Sequence, residues 1–232
     1  MKEGQQFMDT AIYFLLSIAY IIIFIIGVLL AKHHGWINIG NVILIIILAL
    51  LYDNGILALG KYVGEGELLR SLNQMRYWLH AFVTPLLVLF AWHTLVNANL
   101  QWAKKRIIQS LVVLLTLCLI IFELITIVPS IPLEPAWNNG VLSYKKGGGA
   151  DGPPIMIIGI SIMLLVTSII IWWKQKWPWY FIGVLSMGII PIINLLLKID
   201  APHNISEFLL MLAILATKAY QDKIITAANI NK

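Results

Sequence analysis

The sequence predicts an all-α, polytopic integral membrane protein, a single domain built as a bundle of seven transmembrane helices. Three observations carry this prediction. Hydrophobic residues make up 60% of the 232 positions and charged residues 12%, against roughly 25% charged in a typical soluble domain. Seven apolar stretches approach the roughly 20 helical residues that cross a hydrocarbon core. Runs such as Asn41-Val42-Ile43-Leu44-Ile45-Ile46-Ile47-Leu48 are apolar at successive positions, where the strand of a membrane barrel would alternate.

The first stretch, 12–31, has no small-residue cleavage pattern before Lys32, so it reads as a retained helix and not a secretory signal. The second, 37–60, contains Asp53-Asn54-Gly55. That triplet is a turn signal, so the helix either runs through it or stops at Tyr52. The third, 78–98, is preceded by Glu67 to Tyr77, where Leu68, Leu69, Leu72 and Met75 recur at helical spacing between polar residues. This segment is expected as an amphipathic ramp at the interface. Pro85 within the third stretch and Pro191 within the sixth each remove a backbone donor and predict kinks.

The fourth stretch, 107–128, holds Cys118, the only cysteine, which excludes an intrachain disulfide and a cysteine-based metal site. Residues 129–154 are rich in glycine and proline and are expected as a long exofacial loop, flexible or serving as a lid. Lys145-Lys146-Gly147-Gly148-Gly149 is not a phosphate loop, because no Gly-Lys-Ser/Thr follows and no strand precedes it. The fifth, sixth and seventh stretches are 155–173, 178–197 and 205–221.

Orientation follows from lysine and arginine in the connections. One face carries seven and the other nine, so density must decide. The short loops Lys104-Lys105-Arg106 and Lys174-Gln175-Lys176 are dense and free of acids, whereas the acids concentrate on the opposite face. The basic loops are therefore read as cytoplasmic, with the N-terminus outside and the C-terminus inside, in a multi-pass protein of the cell membrane. Trp102, Trp172, Trp173, Trp177 and Trp179 flank these loops and read as headgroup-level anchors. The net charge of +5 is then attraction to anionic lipid. The expected partners are membrane lipids, with no nucleic acid.

Polar residues within the stretches gather toward the outer side. Asp53 lies on helix two, Arg76, His80 and Thr84 one turn apart on helix three, and Glu123 on helix four. Asn194 and Lys198 follow on helix six, and Asn204, Ser206 and Glu207 on helix seven. Ionised groups are costly at bilayer depth and usually face a partner or a wet cavity. Glu123, Asp53 and His80 are the candidate acid, base and proton relay. Arg76, Asn194, Lys198 and Glu207 are the candidate substrate contacts. Competing structural roles are a turn for Asp53, headgroup contact for Arg76 and Lys198, and a capping box linking Asn204 to Glu207. Glu123, between Phe122 and Leu124, has the weakest structural excuse.

The layer fits an enzyme that works on a lipid or isoprenoid entering between helices. Length and helix number are similar to those of integral-membrane terpene cyclases, which use intramembrane carboxylates; the analogy is one of size and layout, with no shared motif. A transporter or receptor-like binding protein for a small polar or lipid ligand is the alternative. A b-type cytochrome is a minor one: His80 and His93 are 13 residues apart, about 20 Å along a helix, but roughly 140° apart around it. Lys218 sits near the end of helix seven with only Asp222 a turn beyond, which excludes a retinal protein. No cofactor and no metal site are expected.

Overall fold

The computed structural model describes residues 3–127, 132–147, 155–197 and 203–230. Its helices are α1 (Glu3–His34), α2 (Val42–Val63), α3 (Glu67–Val83), α4 (Leu86–Asn97), α5 (Arg106–Phe122), α6 (Ile155–Gln175), α7 (Trp179–Leu197) and α8 (Asn204–Ile230). Strands β1 (Leu133–Asn138) and β2 (Val141–Lys146) form one antiparallel hairpin. The class is all-α. Among the described residues, five helical stretches are long and apolar enough to cross a membrane: Thr10–His34, Ile39–Val63, Glu67–Asn97, Arg106–Ile125 and Met156–Gln175. Trp179–Ile190 is a shorter apolar helix.

Neighbouring helices close a ring in the order α1, α2, α4, α6, α7, α8 and back to α1. Tyr20, Ile47, Phe90, Ile171, Tyr180 and Ile214 fill its interior. Gly183 sets the α7–α8 approach, since a Cβ there would strike the Ala213 methyl group. Outside the ring, α5 packs on α4 and most of its apolar side chains face outward.

Helix α2 runs straight through Asp53-Asn54-Gly55, which removes the turn reading of Asp53. The Asn54 amide nitrogen donates back to the Leu50 carbonyl at 2.8 Å, while its side-chain oxygen is buried without a partner among the described residues. In hydrocarbon, backbone pairing outweighs the local turn preference. The kink predicted at Pro85 is present: α3 ends at Val83, and Leu87 and Val88 donate to the Thr84 and Pro85 carbonyls as α4 begins.

Residues 132–147 depart from the expected open loop. Asn139-Gly140 has positive φ at both positions, 47° and 80°, as a two-residue I′ hairpin turn requires. The register runs from Asn138↔Val141 to Leu133↔Lys146. The hairpin is packed, not free. Val141 to Tyr144 are buried, and Leu142 and Tyr144 form a small core with Leu69 of α3. Gly60 lies so close to the Leu142 carbonyl that no side chain fits there. The Tyr144 hydroxyl accepts from Gly66 N at 3.1 Å, and Thr10 Oγ1 donates to the Gly140 carbonyl at 3.0 Å. Leu69 of the expected ramp is thereby buried under β2, whereas Leu68 and Met75 stay exposed. The segments 128–131 and 148–154 lie outside the described residues.

Candidate functional site

Three helices converge at the hairpin end of the ring. Arg76 on α3 donates through Nε to Asp53 Oδ1 at 2.7 Å and through Nη1 to Asn73 Oδ1 at 2.8 Å. Asn204, the first residue of α8, donates its amide to Asp53 Oδ2 at 3.1 Å. Both oxygens of Asp53 are therefore engaged. The ion pair is largely withdrawn from solvent, with side-chain exposures of 16% for Arg76 and 8% for Asp53. His80, one turn along α3 from Arg76, meets Thr84 Oγ1 through Nδ1 at 2.8 Å.

Asp53, Arg76, Tyr77, His80, Asn204 and Glu207 line a cavity of about 220 Å³. An apolar crevice of about 20 Å³ adjoins it, walled by Ile46, Ala49, Leu50, Leu79 and Val83 and sharing Asp53, Arg76 and His80. Its volume is that of about one water. Glu207 lines the cavity, with His203 Nε2 approaching its carboxylate to 4.0 Å. The capping box expected of Asn204 and Glu207 gives way to this arrangement. The Asn204 amide goes to Asp53, and the turn that starts α8 is closed by Ser206 and Glu207 N–H groups donating to the His203 carbonyl.

The candidates thus divide. Asp53, Arg76, His80 and Glu207 share one cavity. Glu123 does not line it; it opens a π turn, Glu123–Ile127, that continues α5, and it is half-buried. That turn packs on α3, and the charges of His80 and Lys146 reach Glu123. Lys198 and the side chain of Asn194 lie outside the described residues. On the hairpin, burial and then the positive charge of Arg76 hold the Lys145 amine below the usual lysine range.

A second polar cluster occupies the opposite end, where the sequence reading placed Lys218 near the helix end with Asp222 a turn beyond. Lys218 Nζ and Asp222 Oδ2 pair at 2.5 Å, each side chain 4% exposed. The charges of both act on His93, on α4, whose Nε2 is buried without a partner among the described residues. The Gln221 amide donates to the Thr94 carbonyl at 3.0 Å and to Gln175 Oε1 at 2.9 Å. Trp177, expected as a headgroup-level anchor, stacks on Tyr220 at 4.1 Å and donates to Thr217 Oγ1 at 3.0 Å. Trp102, Trp172, Trp173 and Trp179 remain exposed. His34 meets Thr226 through Nδ1 at 3.2 Å, so the imidazoles at this end address different partners. Among the described residues, no three His, Cys, Asp or Glu side chains gather as a metal would need.

No protein-family model matches this chain, and no curated protein matches it.

Proposed function

We infer that the chain is a multi-pass protein of the cell membrane, its seven apolar stretches spanning the bilayer with the N-terminus outside. We assign the hairpin-end cavity as the acid/base site of an enzyme acting on the polar end of a lipid or isoprenoid. One observation supports this above the others: Asp53, Arg76, His80, Asn204 and Glu207 come from three helices to one cavity. Structural ion pairs alone need no cavity.

The roles follow from which groups have open faces. Asp53, bound at both oxygens, fixes Arg76 and Asn204 in place. Glu207 and His80 face the cavity with room for a reacting group, so they are assigned the proton-transfer work. Arg76 would hold an anionic head group. Glu123, off the cavity wall, becomes an outer electrostatic neighbour of His80.

The test is product formation from a total lipid extract of the native host, followed by mass spectrometry with the protein in nanodiscs. Glu207→Gln should lower turnover about 10²–10⁴-fold, the usual range for a general acid or base, while Glu123→Gln stays within about tenfold. Wild-type turnover surviving in Glu207→Gln would remove the assignment.

Orientation has its own check. In a Cys118→Ser background, a cysteine replacing Asn138 in the hairpin should react with an impermeant maleimide in intact cells. One replacing Lys174 should react only after permeabilisation. The opposite pattern would place the cavity on the cytoplasmic side.

A further inference from the structure

Two short turns lie at the end of the bundle opposite the hairpin, and one side chain ties them together. The first joins α4 to α5 and brings Lys104, Lys105 and Arg106; the second joins α6 to α7 and brings Lys174 and Lys176. Gln221 of α8 is 1% exposed, and its amide bonds to the elements that bear both. The oxygen accepts from the Asn97 amide, on the last residue of α4, at 3.3 Å. The nitrogen donates to the Thr94 carbonyl at 3.0 Å and to Gln175 Oε1, between the two lysines, at 2.9 Å. A second tie comes from Tyr220, whose hydroxyl donates to the Gln175 carbonyl at 3.0 Å. On the other side, the Trp92 indole donates to the Ala103 carbonyl at 2.8 Å and folds the first turn back onto α4.

The surface assembled in this way carries charge of one sign. Lys104, Lys105, Arg106, Lys174 and Lys176 are all exposed, and none forms an ion pair with a described residue. Asp222, the acid of this end among the described residues, is buried against Lys218 and leaves that charge uncompensated. Orientation in a membrane asks for lysines in each turn, but not for one turn to be fastened to the other. Like charges held close repel, and an anion between them relieves the repulsion. The surroundings favour an anion that belongs to the bilayer. Trp102, Trp172 and Trp173 stand exposed beside the cations, and amphipathic indoles sit at headgroup level. Further along the same helices, Leu111 of α5 with Val166 and Ile169 of α6 are exposed and offer acyl chains an apolar surface.

We propose that this end of the bundle binds an anionic phospholipid, its phosphate held between the two turns by Lys105, Arg106, Lys174 and Lys176. The Arg106 guanidinium supplies a fork for two phosphate oxygens, and the lysines act as point charges around it. Gln221 touches no lipid; it sets the spacing of the two turns. Lys104 is the least available of the five cations, because its amine already donates to Asn99 Oδ1 at 2.5 Å. In the sequence the two basic runs are remote from one another, and nothing marks Gln221 as the partner of both. The site is separate from the hairpin-end cavity and does not depend on the reading given to it.

Native mass spectrometry of the full chain tests the site. Protein delipidated in a neutral detergent is titrated with phosphatidylglycerol or with phosphatidylcholine of matched chains, and bound lipid is counted. Phosphatidylglycerol should be retained at concentrations where phosphatidylcholine is not; equal retention overturns the proposal. Lys105→Gln/Arg106→Gln and Lys174→Gln/Lys176→Gln change only exposed positions. Each pair should weaken phosphatidylglycerol binding roughly 25-fold, since a cation near an anionic surface contributes about a factor of five. Gln221→Met keeps every charge and a similar volume but releases the turns, so it should weaken binding as well. A folded Gln221→Met with wild-type affinity means diffuse attraction to scattered lysines, and overturns the proposal. Should Gln221→Met fail to fold, Gln175→Met cuts the same tie from its half-buried end and is judged by the same outcome. Glycerol 3-phosphate, which has the phosphate without the chains, should leave the lipid in place. Its displacement of phosphatidylglycerol at equal concentration would give the site to a soluble anion and overturn the lipid assignment.

Discussion

Replacing Arg76 with leucine should destabilise the folded protein by about 3–5 kcal/mol, the range seen when a buried ion pair loses one partner. Asp53 would keep only the Asn204 amide on a carboxylate that is 8% exposed. Asn73, fully buried, would lose the donor to its side-chain oxygen, and an unsatisfied buried acceptor costs about 1–3 kcal/mol by itself. Unfolding in mild detergent, followed by tryptophan fluorescence, measures the loss. The double substitution Asp53→Asn/Arg76→Leu should recover part of it, because a neutral amide at position 53 can still accept from Asn204 without carrying a buried charge. An Arg76→Leu variant within about 1 kcal/mol of wild type would mean that water from the cavity solvates Asp53 freely. The outer layer would then be too loosely held to act as a preorganised site.

The sequence placed Asp53, Arg76, His80 and Glu207 at a common depth, because each stands out against an apolar stretch and depth can be counted in residues. It could not say which of them share a cavity. That depends on helix rotation and on partners remote in sequence, such as Asn204 on Asp53. Glu123 looked strongest as a candidate because the residues beside it are apolar, yet those neighbours report only that the helix is immersed. The hairpin was legible at Asn139-Gly140, flanked by Trp137-Asn138 and Val141-Leu142. The glycine and proline content of the whole 129–154 segment drew the reading toward an open loop. The ramp at Glu67–Tyr77 read as interfacial because the cover for Leu69 comes from β2, more than 70 residues later in the chain.

The last helix shows how a boundary error hides chemistry. A stretch ending at 221, where Asp222 and Lys223 begin, leaves Lys218 in the final turn. Helix α8 instead continues to Ile230. Glu207, Met211, Ile214, Lys218 and Gln221 recur at spacings of three and four, so one inward stripe carries polar groups at both ends and apolar groups between. Lys218 is interior and paired with Asp222 a turn away on its own helix, so it no longer lies at the helix end from which the sequence reading excluded a retinal site.

Its burial sets the size of the second large effect. An exposed i, i+4 pair contributes about 0.3–0.5 kcal/mol, and if Lys218–Asp222 were such a pair, neutralising either member would be nearly silent. With both side chains 4% exposed, Asp222→Leu should instead cost about 3–5 kcal/mol, because it leaves an ammonium group in the interior without its counter-charge. The neighbouring His93 cannot replace the lost carboxylate, since an imidazole supplies no negative charge. Removing both charges together is different. Lys218→Met/Asp222→Leu keeps comparable volume and restores an apolar interior, so the double variant should lie within about 1–2 kcal/mol of wild type, as well-packed replacements of buried pairs do. A full double-mutant cycle on purified protein in one detergent measures the coupling directly. Additive losses across the cycle would show that the two residues act separately, and this end of the bundle would then be held by the neutral hydrogen bonds of Gln221, Thr94, Gln175 and Trp177.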